Sequence, residues 1–368
     1  MSYLRYLTIS MVAFIPIMHS CSNGNTTSMI ETPTGPEAPL FVAKAEDLTR
    51  TIVSPILTST VPDSTNVIYC ASFQLAWNIL RHDYTRGPVR LDGNPPLVDE
   101  LNVGNFKQSD IAEASCLTLT GLYNEGVLDR IGQEMRDRFS APMPNIRSLP
   151  HGNLGNLSEY VIYAYMEKRL LFANAFEHIA QGINFAGTQV SAFGKIHSRD
   201  DYAQQVLVYK DAAGLAVELV PQGDTDCIYL AQMSKPATLQ EGWNILRQRI
   251  EHPGDTRCFG EDDRLFIPKM NFSILRNYSE LAGRKFINPA MQGWGISMVV
   301  QDIRFRLDEQ GAVLKSFAVI GATPCSALID ETVCMVFDQP FLLCLKEKGK
   351  ANPYFVMWVN NPEVLIQQ

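Results

Sequence analysis

Met335-Val336-Phe337-Asp338-Gln339-Pro340-Phe341-Leu342-Leu343-Cys344-Leu345 and, a little further on, Phe355-Val356-Met357-Trp358-Val359-Asn360-Asn361-Pro362 stand near the C-terminus. Phe341–Leu345 and Tyr354–Val359 are short apolar runs rich in aromatic and branched residues, the composition of core strands. Working upstream, Ser316–Ile320, Met298–Leu307 and Leu265–Pro268 also read as strands, with Pro268 at an edge or a strand end. Gln205–Tyr209 and Leu215–Val220 form a hairpin around the turn Asp211–Gly214, stopped by Pro221. Helices are expected near Leu239–Arg249 and, shorter, over Ile274–Leu281. The first half has a different pattern. Helices are expected over Ala45–Thr58, Ser72–Arg81, Ser109–Tyr123 and Val127–Phe139, with one strand at Asn66–Tyr69. Leu157–Phe172 suits a buried strand or a helix equally. The result is an α+β fold, a helix-rich N-terminal half on large, mostly antiparallel sheets with the C-terminal strands in the core. Alternating strand–helix units are not seen, which argues against a Rossmann or barrel fold.

The chain has 368 residues, 46% of them apolar, enough for one large domain or two medium ones. A formal net charge of -8 repels phosphate backbones, so no nucleic-acid partner is expected. The N-terminus carries Arg5, an apolar stretch Tyr6–Met18, and then Met18-His19-Ser20-Cys21. The stretch has signal-peptide length and is short for a membrane span. Its end resembles the bacterial lipoprotein box, which implies lipidation of Cys21, export, and anchoring to the outer membrane or cell surface. Ordinary signal cleavage nearby, with Cys21 incidental, is the alternative. The expected layout is a signal peptide over 1–20, a Ser/Thr/Gly/Pro-rich tether over 21–45 and a folded domain over 46–368.

With Cys21 lipidated, seven cysteines remain, so at least one is unpaired within a monomer. Cys70 and Cys344 lie in apolar runs and read as small buried hydrophobes. There is no CxxC, no HExxH and no GxSxG, so neither a metal site nor a hydrolase nucleophile is assigned, and no cofactor is expected. His151-Gly152-Asn153-Leu154-Gly155-Asn156 lacks the lysine of a phosphate-binding loop and reads as a surface turn.

The two C-terminal segments resemble the ending of serpins: a phenylalanine, a polar pair and Pro-Phe lead into an apolar strand, and a later strand ends in Asn-Pro. Leu265-Phe266-Ile267-Pro268-Lys269-Met270 with Tyr278, Leu281-Ala282 and Phe286 is similar to the family's Pro-Lys strand and the short helix after it. Gln205–Pro221 resembles its Tyr-containing hairpin, and Asn66-Val67-Ile68 with Ser72 and Ala76 echoes its first strand and helix. Leu307-Asp308-Glu309-Gln310-Gly311 is similar to the acidic pair and glycine that open the serpin reactive loop. The resemblance spans about residue 46 to the end and is thinnest between 85 and 200.

The resemblance implies a non-enzymatic protein with a serpin-like domain and an exposed reactive loop over about 311–337. Its hinge would be Glu309, Gln310, Gly311 and Ala312. The family's loop length puts the bait bond between Cys325 and Ser326, and a small apolar Cys325 would suit an elastase-like protease. The partner implied is a serine or cysteine protease. This chain departs from the family in its hinge, where Ala312-Val313-Leu314-Lys315-Ser316-Phe317-Ala318 replaces a run of small residues. Leu314 and Phe317 are bulky for entry into a close-packed sheet. Cys70-Ala71 replaces the family's Ser-Pro, and Tyr160, Tyr163, Tyr165 and Phe172 stand where a tryptophan is usual. A non-inhibitory serpin-like lipoprotein that binds a ligand or partner is therefore the second expectation.

Overall fold

In the computed structural model the described residues are 39–142, 146, 154, 158–198, 202–211, 214–223, 225–313 and 332–368. Among them the chain forms nineteen strands and four α-helices, numbered in chain order. The apolar runs Phe341–Leu345 and Phe355–Val359 are strands covered on both faces, and they lie inside an eight-stranded sheet. Its order is β12 (Asp255–Cys258), β9 (Val206–Asp211), β10 (Gly214–Leu219), β11 (Asp226–Gln232), β18 (Phe341–Glu347), β19 (Phe355–Val359), β3 (Asn66–Cys70) and β2 (Thr51–Ser54). Every pairing in it is antiparallel except β2 with β3. A four-stranded sheet runs β17 (Cys334–Val336), β13 (Arg264–Pro268), β8 (Thr188–Lys195) and β7 (Glu177–Phe185).

The third sheet has seven strands. Its main path is β1 (Phe41–Lys44), β14 (Met270–Asn277), β15 (Trp294–Asp308), β16 (Gly311–Val313) and β6 (Arg169–Leu171). Off this path β5 (Ser158–Met166) pairs with β15 and with β4 (Cys116–Leu122). The sheet is packed on both faces. On one side α1 (Ser72–Ile79) puts Phe73 and Trp77 beneath Tyr160, Ile162, Ile296 and Val299. On the other, α3 (Val127–Phe139) lays Val127, Leu128, Ile131, Met135 and Phe139 over Val161, Tyr163, Tyr165, Met298 and Val300. The apolar positions of α3 recur at helical spacing, so one face is buried and the other is charged. α2 (Pro96–Val103) starts with proline in its first turn, where a missing N–H costs nothing. α4 (Leu239–Glu251) is capped by Thr238, whose hydroxyl accepts from Glu241 N at 3.1 Å.

Much of the expected order is present: β3, α1, α3, α4, β9, β10, β13, β15, β18 and β19 all fall where the sequence places them. Leu157–Phe172, open between helix and strand, is β5 and β6. Three expected helices are not helices. Ala45–Thr58 is a short 3-10 turn (Ala45–Asp47) followed by β2, in which Thr51 and Val53 face inward and Ile52 faces out. Ser109–Tyr123 holds two 3-10 turns and then β4, where Leu and Thr alternate at the period of a strand. Ile274–Leu281 begins as the end of β14, kept extended by pairing to β15 through Asn277. The folded part also starts before residue 46, because Phe41–Lys44, expected in the tether, pairs in parallel with β14 from Phe272 to Leu275.

Candidate functional site: a fork in the seven-stranded sheet

β15 is long enough to have two different neighbours on one edge. From Trp294 to Asp302 it pairs in parallel with β5, Ser158 to Tyr165. Beyond Asp302 the two strands part. Glu167 and Lys168 lead away into β6, and the gap is filled by β16, antiparallel to both flanking strands. Asp308 opposes Gly311 and Arg306 opposes Val313, while across the gap Gly311 opposes Leu171 and Val313 opposes Arg169. The expected hinge thus enters the sheet as a three-residue wedge.

The turn into the wedge is fixed by local chemistry. Asp308 accepts from Gln310 N at 2.9 Å, an Asx-type turn. Phe172 N donates to Gln310 O and Phe176 N to Glu309 O, both at 2.9 Å. Glu309 forms an ion pair with Lys269, whose side chain is mostly buried. Gly311 has φ +141°, and a Cβ there would lie 2.1 Å from Leu170 O, so only glycine lets the wedge sit against β6. Ala312 is fully buried in the main core, and its small side chain fits between Leu307 and Leu170. Burial pushes the Asp308 carboxyl up, against the pull of Arg306.

Each flank of the fork is anchored in its own way. On the β6 side, buried Lys168 reaches Asp226 at 2.9 Å and Glu347 at 2.6 Å, both on the eight-stranded sheet. Tyr354 OH donates to Asp226 and Ala112 N to Glu347, so both carboxylates have further donors. Phe172 continues this flank, edge-on to Phe176 at 4.8 Å, and Phe176 stacks on Tyr202 at 4.9 Å. On the β15 side, fully buried Gln301 accepts from Tyr278 OH at 2.7 Å and donates to Cys70 O and Ser72 Oγ, both at 2.9 Å. One residue on, at the fork itself, Asp302 is buried, and that burial pushes its carboxyl up to about 6 despite Arg304.

The structure therefore brings Glu309, Gln310, Gly311 and Ala312 together as one turn and wedge. Cys325, Ser326 and Cys21 lie outside the described residues, as do Leu314 and Phe317. Cys70 and Cys344 are buried free thiols, as their apolar runs imply, and their burial pushes both up; Cys116, Cys227 and Cys334 are also free, and Cys258 is disulfide-bonded. Sequence reasoning missed Gln301, Asp302 and the Lys168 anchor. The clue to all three was a polar or charged residue breaking an apolar strand run. Among the described residues no group of three or more His, Cys, Asp or Glu is placed to hold a metal ion. Among the same residues, no helix is long and apolar enough to cross a membrane.

With its three sheets and the helices packed on them, this chain has the serpin fold. The solved structure of human thyroxine-binding globulin complexed with thyroxine matches over 81% of this chain and 92% of its own, at 13% identity and a TM-score of 0.50. Native protease nexin-1 with heparin matches over the same shares at 11% identity and 0.50. The mouse protein-Z dependent protease inhibitor matches over 81% of this chain and 91% of its own, again at 11% and 0.50. At such identities the likeness carries the fold and nothing finer. No protein-family model and no curated protein sequence matches the chain.

Proposed function

We propose that this chain is a protease inhibitor of the serpin type, not an enzyme, that offers the segment after Val313 as bait and then draws it into the forked sheet. The observation that supports this is the wedge: Gly311–Val313 already occupies the first rungs of the gap between β15 and β6. A cut further along the loop would break the peptide bond, leave the new carboxyl end esterified to the protease serine, and free the loop to continue down the gap with the protease still attached. To go past Asp302 the loop must separate β5 from β15, and α3 must shift because its apolar face rests on both. Leu314 and Phe317 would have to find room in that process, and their bulk supports the second reading, a serpin scaffold that binds a partner without trapping it.

The bait bond is Cys325–Ser326 in this reading, and the attacking protease is of the serine class. The site of action is a bacterial surface, with the chain exported and Cys21 lipidated. Incubation of the full-length protein with elastase-, chymotrypsin- and subtilisin-like proteases, followed by denaturing gel and intact mass, tests the inhibitor. A covalent adduct with the chain cut after Cys325 is expected. Cleavage there with no adduct would leave the second reading. Cys21→Ser should abolish incorporation of labelled fatty acid, and unchanged labelling would remove the anchor from the proposal.

A further inference from the structure

A cavity of about 350 Å3 lies between the segment after β2, the end of β3, α1, α2 and the β18–β19 turn, and it shares no residue with the hinge. That volume is in the range of small-molecule sites. Its wall is apolar over Pro55, Ile56 and Phe106. Tyr69 also lines it and is only 2% exposed. The hydroxyl is not sealed from solvent, so it opens to the cavity, where a ligand atom can take its hydrogen bond. Burial, with Cys70 and Asp110 nearby, raises the phenol and keeps it neutral, so it can donate. The charged side chains lining the cavity are Asp99 and Glu100, both exposed, with no cation among the lining residues. The mouth therefore favours an ammonium over a carboxylate.

We propose that this cavity is a binding site for a small amine with an apolar body. The body packs on Pro55, Ile56 and Phe106, a polar group at its inner end pairs with the Tyr69 hydroxyl, and the ammonium rests between Asp99 and Glu100. This site is independent of the bait loop, so it stands or falls apart from inhibition.

Tyramine is a suitable probe because it carries all three features. Phenethylamine lacks the hydroxyl and 4-methylphenol lacks the amine. Isothermal titration of the full-length protein should give tyramine binding that exceeds phenethylamine by roughly threefold to tenfold, the yield of one neutral hydrogen bond. It should exceed 4-methylphenol by about twofold to fivefold, a margin that shrinks with added salt. Tyr69→Phe should erase the first margin, and Asp99→Asn with Glu100→Gln the second. Val103→Trp, which fills the cavity from an exposed lining position, should abolish binding with the thermal unfolding midpoint unchanged. Absence of tyramine binding at millimolar concentration overturns the proposal. So does binding that Tyr69→Phe and Val103→Trp both leave unaltered.

Discussion

The two halves of β15 are one strand with two kinds of neighbour. From Trp294 to Asp302 it is sealed: β5 lies alongside, α1 packs beneath, and α3 covers the outside. From Arg306 to Asp308 it faces a three-residue wedge held by a turn, two backbone hydrogen bonds and an ion pair. Packing holds the first half and polar latches hold the second. Apolar interdigitation resists gradual opening, whereas latches release one at a time. If a loop is drawn in as proposed, the barrier lies in the sealed half and opening starts at the wedge.

The largest test of this contrast is Lys168→Met, which strips the cation from the β6 flank and leaves Asp226 and Glu347 buried together. A loss of about 3–5 kcal/mol in urea unfolding is expected; a loss under about 1 kcal/mol would mean that this flank is not anchored as described. Asp302→Asn addresses the fork itself. Burial raises this carboxyl from the ordinary 3.8 to about 6. Between those values the native state holds a proton that the unfolded state lacks. Its contribution is thus complete below about pH 4 and is lost as pH rises through 6. The variant should flatten that slope and gain about 2–3 kcal/mol at pH 7. An unchanged pH profile would remove Asp302 from the account.

In the sealed half, Gln301→Leu removes three hydrogen bonds and leaves the Tyr278 hydroxyl unpaired. A loss of about 2 kcal/mol is expected, together with faster hydrogen exchange along β15. The smallest effect belongs to the outer latch. Lys269→Gln should change global stability by about 1 kcal/mol or less, because Glu309 is partly exposed, while quickening limited proteolysis between Asp308 and Val313. Equal slowing or no change in that proteolysis would show that the ion pair does not hold the wedge.

The sealed parts of the molecule were the legible ones. Phe341–Leu345 and Tyr354–Val359 could be assigned because strands buried on both faces leave continuous apolar runs. The turn at 308–311 stands out because its acidic pair and glycine come in a familiar order, and Gly311 is required there by a close backbone approach. Strands with one open or polar face carry a pattern that local sequence does not separate from a helix. β2 buries Thr51 and Ser54 beside Val53 and exposes Ile52, so its apolar residues do not mark one face. β14 takes its shape from β15 across the sheet, which local sequence does not record. The fork itself was invisible for the same reason. Lys168 is joined to Asp226 and Glu347, and Gln301 to Cys70 and Tyr278, only by the pairing of distant strands.

The most direct test of the forked sheet as a receiving site is the thermal unfolding midpoint of the full-length protein before and after its loop is cut by a single protease. If the cut loop continues from Gly311–Val313 between β5 and β15, it adds a paired strand to the sheet and the midpoint rises well above that of the uncut chain. An unchanged or lowered midpoint after complete cleavage would contradict the account, because it would mean that the sealed half of β15 does not open.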